Sequence, residues 1–246
     1  MYNIQQDFFE RLVYLFQGYP HLVTPLFEKK IKQSIEVLHH QYLYGACKET
    51  KILFDKNQGR IDRDLFDVVM DNYHKRLERH QAYFFILQCF EHALRSTMAT
   101  TLANAFNRDR DDWFLHKSPH CSYLVDKANA RSKKLNKPIK DGCTTFDIFD
   151  LFSLGDLEHL LRHYYPYFEH NIFKAQKAYK GQPLLVYETK QHALSTIKRI
   201  RDARNEVFHN KPTHIKFQKD VVVLLLRLGY DLERMKKSIN LQVFDL

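Results

Sequence analysis

Between Tyr83 and Phe106 an apolar residue returns every third or fourth position: Tyr83, Leu87, Phe90, Leu94, Met98, Leu102 and Phe106. That period puts all of them on one stripe of an α-helix, whereas a strand needs a period of two. A stripe this long is stable only when buried, so the chain must supply further apolar helix faces to cover it. Leu22, Leu26, Ile31, Ile35, Leu38 and Tyr42 keep to steps of three to five and predict a helix over about 22–44. Leu65, Val68, Val69 and Tyr73 share a face behind a cap at Asp62 or Asp64. Leu185, Leu194, Ile197, Ile200 and Val207 carry a long helix to Phe208 or His209. Pro212 cannot extend it, and Asn210 suits a left-handed cap. Val222, Leu225, Leu226, Leu228, Leu232, Met235 and Ile239 predict a last helix over about 216–239. With 7 Gly and 7 Pro in 246 residues, turn chemistry for many short strands is missing. The expected fold is an all-α bundle, its two C-terminal helices packed on 83–106.

Breaks in these patterns divide the chain. Gly45 and the polar stretch Glu49 to Arg60 interrupt the early helix, and Asn107 to Asp112 form a charged turn. Residues 117–145 are the least core-like and read as a short helix followed by an exposed loop. Ser153-Leu154-Gly155-Asp156 reads as a turn into a helix at Leu157–Tyr164, and Pro166 with Gly181-Gln182-Pro183 bounds another short helix. The organisation expected is an N-terminal helical extension over 1–75 packed on a core domain over 76–246.

Lys and Arg number 38 against 29 acidic residues, a net charge of +9 with His neutral. Such a surplus suits a polyanionic partner and equally suits a merely soluble basic protein. Lys127, Arg131, Lys133, Lys134, Lys137 and Lys140 form a basic run that, with Arg201, either tracks an RNA backbone or is a solvated surface. Cys47, Cys89, Cys121 and Cys143 lie far apart, which argues against a disulfide framework or a zinc ribbon. His116, His120 and Cys121 have no second cluster to complete a metal site, so neither metal nor cofactor is expected. The opening MYNIQQDFFERLVYLF is unlike a signal peptide. The apolar run Val221 to Leu226 is far short of the ~20 residues that span a bilayer. A cytoplasmic protein without a membrane partner is expected.

The segment Arg204-Asn205-Glu206-Val207-Phe208-His209 carries the chemistry. Asn205 and His209 are four apart and share a helix face, while Arg204 and His209 are separated by roughly 140° around the axis. Neutral imidazole can take a ribose 2'-hydroxyl proton, and imidazolium can protonate a leaving 5'-oxygen. The Arg204 guanidinium can hold a phosphate in bidentate fashion and stabilise its growing charge. Asn205 can fix the imidazole tautomer. One copy supplies one His, whereas the reaction benefits from both an acid and a base, so a composite site across a homodimer interface is expected. The same spacing also occurs at solvated ends of basic helices.

This pattern resembles that of HEPN domains, and within them the Abi-like (abortive infection) proteins. Their signature is an Arg, four to six residues, and a His, with a polar residue after the Arg. Arg204, Asn205 and His209 match it with the four-residue spacing, followed by Asn210. Glu91-His92-Ala93-Leu94-Arg95 resembles the E-x-x-L-R element of an earlier helix. Asp112-Trp113-Phe114-Leu115 resembles a downstream Trp turn, and Phe152-Ser153-Leu154-Gly155-Asp156-Leu157 a turn before a short helix. The ordered set covers about 80–240. The resemblance implies a helical bundle, a dimer, and a metal-independent endoribonuclease leaving 2',3'-cyclic phosphates, serving in phage defence or as a toxin held by an RNA or protein antitoxin. It implies catalytic roles for Arg204, His209 and Asn205, with Glu91, Arg95 and Asn210 in support; Glu91 and Arg95, four apart, equally suit a plain intrahelical ion pair. Lys211 stands where many such toxins carry a Tyr modified by a nucleotidyltransferase antitoxin, which argues against that kind of inhibitor. The alternative is a non-catalytic helical RNA-binding or regulatory module with the same fold.

Overall fold

A computed structural model describes residues 3–106, 119–136, 139 and 143–232. The described residues are mostly helical, with one two-stranded sheet. Contacts divide the chain into two compact units, one of 1–82 with 210–212 and one of 83–209 with 213–246. The Asp112–Leu115 turn, Lys137, Lys140, His116 and the end of the expected last helix lie outside the described residues.

The first unit contains α1 (Ile4–Leu15), α2 (Pro25–Ile35), α3 (His40–Lys56) and the beginning of α4 (Leu65–Phe106). Each start has a local cause. The Asn3 side chain accepts from the backbone N–H of Gln5 and Gln6, and Thr24 caps α2 from Phe27 N–H with Pro25 in the first turn. Asp64 accepts from Phe66 N–H at 2.9 Å and opens α4. Phe8, Leu12, Phe16, Phe27, Ile31, Leu43, Cys47, Phe54 and Val69 form the core.

The helix expected over 22–44 is corrected to two, broken at 36–39, and the second runs through Gly45 to Lys56. Both pieces bury the same kind of face, so the apolar period survived the break. A Cβ at Gly45 would lie 2.5 Å from the Arg76 guanidinium, so a larger residue there would displace the cation that pairs with Glu49 at 2.9 Å. The stop comes later, where Gly59 takes φ +76° and its N–H returns to Phe54 O at 2.8 Å.

The second unit holds the rest of α4, then α5 (Pro119–Lys134), α6 (Thr145–Phe149), α7 (Leu154–His163) and α8 (Tyr165–Phe168). A π turn at Glu169–Phe173 leads to β1 (Ala178–Tyr179) and β2 (Gln182–Pro183), followed by α9 (Lys190–Phe208) and α10 (Gln218–Arg227). Ile86, Leu87, Phe90, Leu94, Met98 and Leu102 of α4 are fully buried, as the opening period requires. The turn expected at 181–183 is the tip of an antiparallel hairpin, with Lys180 and Gly181 both at positive φ. Ser153 and Asp156 form a capping box that starts α7 at Leu154, earlier than expected. Helix α9 begins at Lys190, behind Thr189, whose side chain accepts from His192 N–H at 3.1 Å. Helix α10 stops at Arg227 because Gly229 at φ +82° lets Gly229 N–H and Tyr230 N–H return to Leu226 O and Leu225 O.

Candidate active site

The C-terminal turn of α9 presents Arg204, Asn205, Phe208 and His209. His209 is the C-cap, exposed, with its backbone N–H shared between Asn205 O and Glu206 O at 3.2 Å each. Asn205 is also exposed, and its side chain makes no bond to the imidazole. Asn210 follows at φ +54°, the left-handed cap expected from sequence. Asn210 lies beside His80, whose imidazole is lowered below its ordinary value, chiefly by burial and against the influence of Asn210. Lys211 is exposed.

Arg204 is held from two directions. Its Nε donates to Glu91 Oε2 at 3.0 Å, and its guanidinium carbon lies 4.0 Å from the Phe208 ring centroid. The other Glu91 oxygen accepts from Arg95 Nη2 at 2.8 Å, and the same nitrogen donates to Phe152 O at 2.9 Å. Glu91 is 6% exposed, so two guanidiniums neutralise a carboxylate that water reaches poorly. The Glu91–Arg95 pair is the ordinary i, i+4 helix pair, and Arg204 joins it from across 113 positions of sequence. Because the bond to Glu91 uses Nε, both terminal nitrogens of Arg204 make no bond among the described residues. Phe208 in turn stacks on Phe84 of α4, centroids 4.2 Å apart and planes at 19°.

Of the basic residues read as either an RNA-tracking run or a solvated surface, three are engaged in ion pairs within the chain. Lys127 and Arg131 of α5 both pair with the Asp156 carboxylate, and Arg131 also donates to Leu151 O. Burial alone would raise the Asp156 carboxyl; the bonds from Lys127, Ser153 and Arg131 outweigh it and hold it at about 2. Arg201 pairs with the buried Glu158 at 2.6 Å and with Asp202 at 3.1 Å, while Arg162 takes the other Glu158 oxygen at 3.2 Å. Lys133 and Lys134 are exposed. Three buried acids, Glu91, Asp156 and Glu158, thus gather six cations in the second unit.

Sequence reasoning missed Glu158, whose local signal was Arg162 four positions on, and Phe84, whose partner Phe208 is remote in sequence. It also passed over Arg227, which is 0% exposed and donates to the carbonyls of Ile172, Leu185, Phe173 and Ala175 at 2.6–3.0 Å. A cation ending the apolar run Val221 to Leu226 was the available signal. Among the described residues no group of three His, Cys, Asp or Glu is placed to hold a metal ion. None of their helices is long and apolar enough to cross a membrane. No protein-family model, curated protein or solved structure matches the chain.

Proposed function

We propose that this chain is an endoribonuclease of HEPN, Abi-like character, working as a dimer by 2'-hydroxyl transphosphorylation in phage defence or as a toxin. One observation carries the reading. Glu91 and Phe208 fix the Arg204 guanidinium while leaving its two terminal nitrogens unbonded, on the same helix end as the exposed His209. Two parallel N–H donors on a pinned, permanent cation suit two phosphate oxygens. An exposed imidazole is able to meet a ribose hydroxyl.

In the proposed reaction, neutral His209 takes the 2'-hydroxyl proton as the 2'-oxygen bonds to phosphorus. The bond from phosphorus to the 5'-oxygen breaks, and that oxygen receives a proton from the His209 imidazolium of the second copy. Arg204 stabilises the charge on the non-bridging oxygens throughout. The products are a 2',3'-cyclic phosphate and a 5'-hydroxyl. An inhibitory RNA or protein would keep such an activity in check.

Cleavage of cellular RNA in EDTA, together with toxicity on expression, tests the reading. The parent is expected to cleave and arrest growth. His209→Ala is expected to lose about 10²–10⁴ in rate, the usual contribution of acid–base catalysis. Equal cleavage by His209→Ala would overturn the mechanism.

A second reading draws on the ion pairs themselves. Arg204, Arg201, Lys127 and Arg131 all serve buried acids, as they would in a non-catalytic RNA-binding or regulatory module. It predicts salt-sensitive RNA binding through Lys133 and Lys134 and no cyclic-phosphate ends.

A further inference from the structure

We propose that the outer face of Phe84 is a stacking site for a nucleobase of single-stranded RNA, beside the phosphate bound by Arg204. The inference rests on the ribonuclease reading of Arg204 and adds what grips the substrate next to the scissile bond. Arg204 and Phe84 each lie close over the Phe208 ring, at 4.0 and 4.2 Å from its centroid. Two planar groups at those distances would overlap on a single face, so they occupy opposite faces. The result is a column of guanidinium, Phe208 and Phe84, anchored at one end through the Arg204–Glu91 bond. Its other end is Phe84, 38% exposed although it sits on the deeply buried helix α4.

Exposed aromatic rings on this chain are common; this one differs in its backing. Phe208 fixes the plane of Phe84 from behind, so no ring freedom is lost when a base settles on the front. A column that runs from a phosphate-binding cation to an open π-face suits a phosphate at one end and the base of a neighbouring nucleotide at the other. Stacking is tolerant of base identity, so the site grips sequence loosely. It requires an unpaired base, because a base inside a duplex has both faces covered.

The probe is a single-stranded 2'-O-methyl oligonucleotide carrying one 2-aminopurine, which cannot undergo 2'-hydroxyl attack and loses fluorescence when stacked. The parent and Phe84→Tyr are expected to bind it and quench it. Phe84→Leu keeps apolar bulk on an exposed helix position but has no π-face. It is expected to lose the quench and to bind on the order of tenfold to a hundredfold more weakly. A fully paired RNA hairpin is expected not to displace the probe. Should Phe84→Leu bind and quench like the parent, or should the parent leave the probe unbound, the stacking site is overturned. The two readings separate cleanly against His209→Ala. A His209-dependent cleavage with Phe84-independent quenching sinks the stacking site alone. Phe84-dependent quenching with His209-independent cleavage keeps it and sinks the ribonuclease reading.

Discussion

Replacing Glu91 with Gln removes the negative charge that two guanidiniums share while keeping size and helix propensity nearly constant. Glu91 accepts one charge-assisted bond from Arg95 at 2.8 Å and one from Arg204 at 3.0 Å. Such bonds contribute about 1.5–3 kcal/mol each, so the gross loss is about 3–6 kcal/mol. Part of it is recovered, because the Arg95 and Arg204 side chains are 16% and 24% exposed and regain some hydration once released. The expected net destabilisation is about 2–4 kcal/mol, or a Tm lower by roughly 5–15 °C for a chain of this size. Urea unfolding followed by helical circular dichroism measures it. The exposed Glu10→Gln serves as control and is expected to change stability by less than about 0.5 kcal/mol. If Glu91→Gln costs under about 1 kcal/mol, the carboxylate does not anchor Arg204 as described. In the same variant RNA cleavage is expected to fall, since the guanidinium loses its positioning partner.

Three further outcomes follow from single contacts. The Asp156 carboxyl titrates at about 2 in the folded chain against 3.8 for a free Asp, so its stabilisation is complete above about pH 4 and lost as pH falls through about 2. The stability gap between parent and Asp156→Asn should therefore shrink by about 2 kcal/mol between pH 5 and pH 2. Arg227→Met strips four carbonyls of their donor, those of Ile172 and Phe173 in buried bonds, and is expected to cost about 3–5 kcal/mol in denaturant unfolding. Asn210 sits at φ +54°, so Asn210→Ala is expected to cost about 1–2 kcal/mol more than Asn210→Gly, which adopts that backbone freely.

The all-α class was readable because burial and helical period report the same face: Leu87, Phe90, Leu94, Met98 and Leu102 are all in the core. The end of α9 was readable too, since Pro212 and Asn210 act locally. The break at 36–39 was hidden because both flanking helices continue the apolar stepping. Gly45 misled for the opposite reason: it lies inside α3 against Arg76, 31 positions away, and makes no local turn. At the candidate site the spacing from Arg204 to His209 was visible, and so was the pairing of Glu91 with Arg95. The reach of Glu91 to Arg204 and the stacking of Phe84 on Phe208 span more than a hundred positions, and no local pattern encodes them. Net charge was the least informative signal. Lys127, Arg131 and Arg201 counted toward +9 yet spend their charge on buried Asp156 and Glu158.

The central claim, that Arg204 and His209 direct a 2'-hydroxyl onto its own phosphate, meets its most direct test in a substrate with one reactive sugar. A short DNA strand carrying a single ribonucleotide is incubated with the protein in EDTA, and its products are weighed by mass spectrometry. One cut is expected, after that ribonucleotide, with a 2',3'-cyclic phosphate on one product and a 5'-hydroxyl on the other. No cut is expected when the lone ribose is 2'-O-methylated or when His209 is Ala. Cleavage of the methylated strand, or undiminished cleavage by His209→Ala, would contradict the claim.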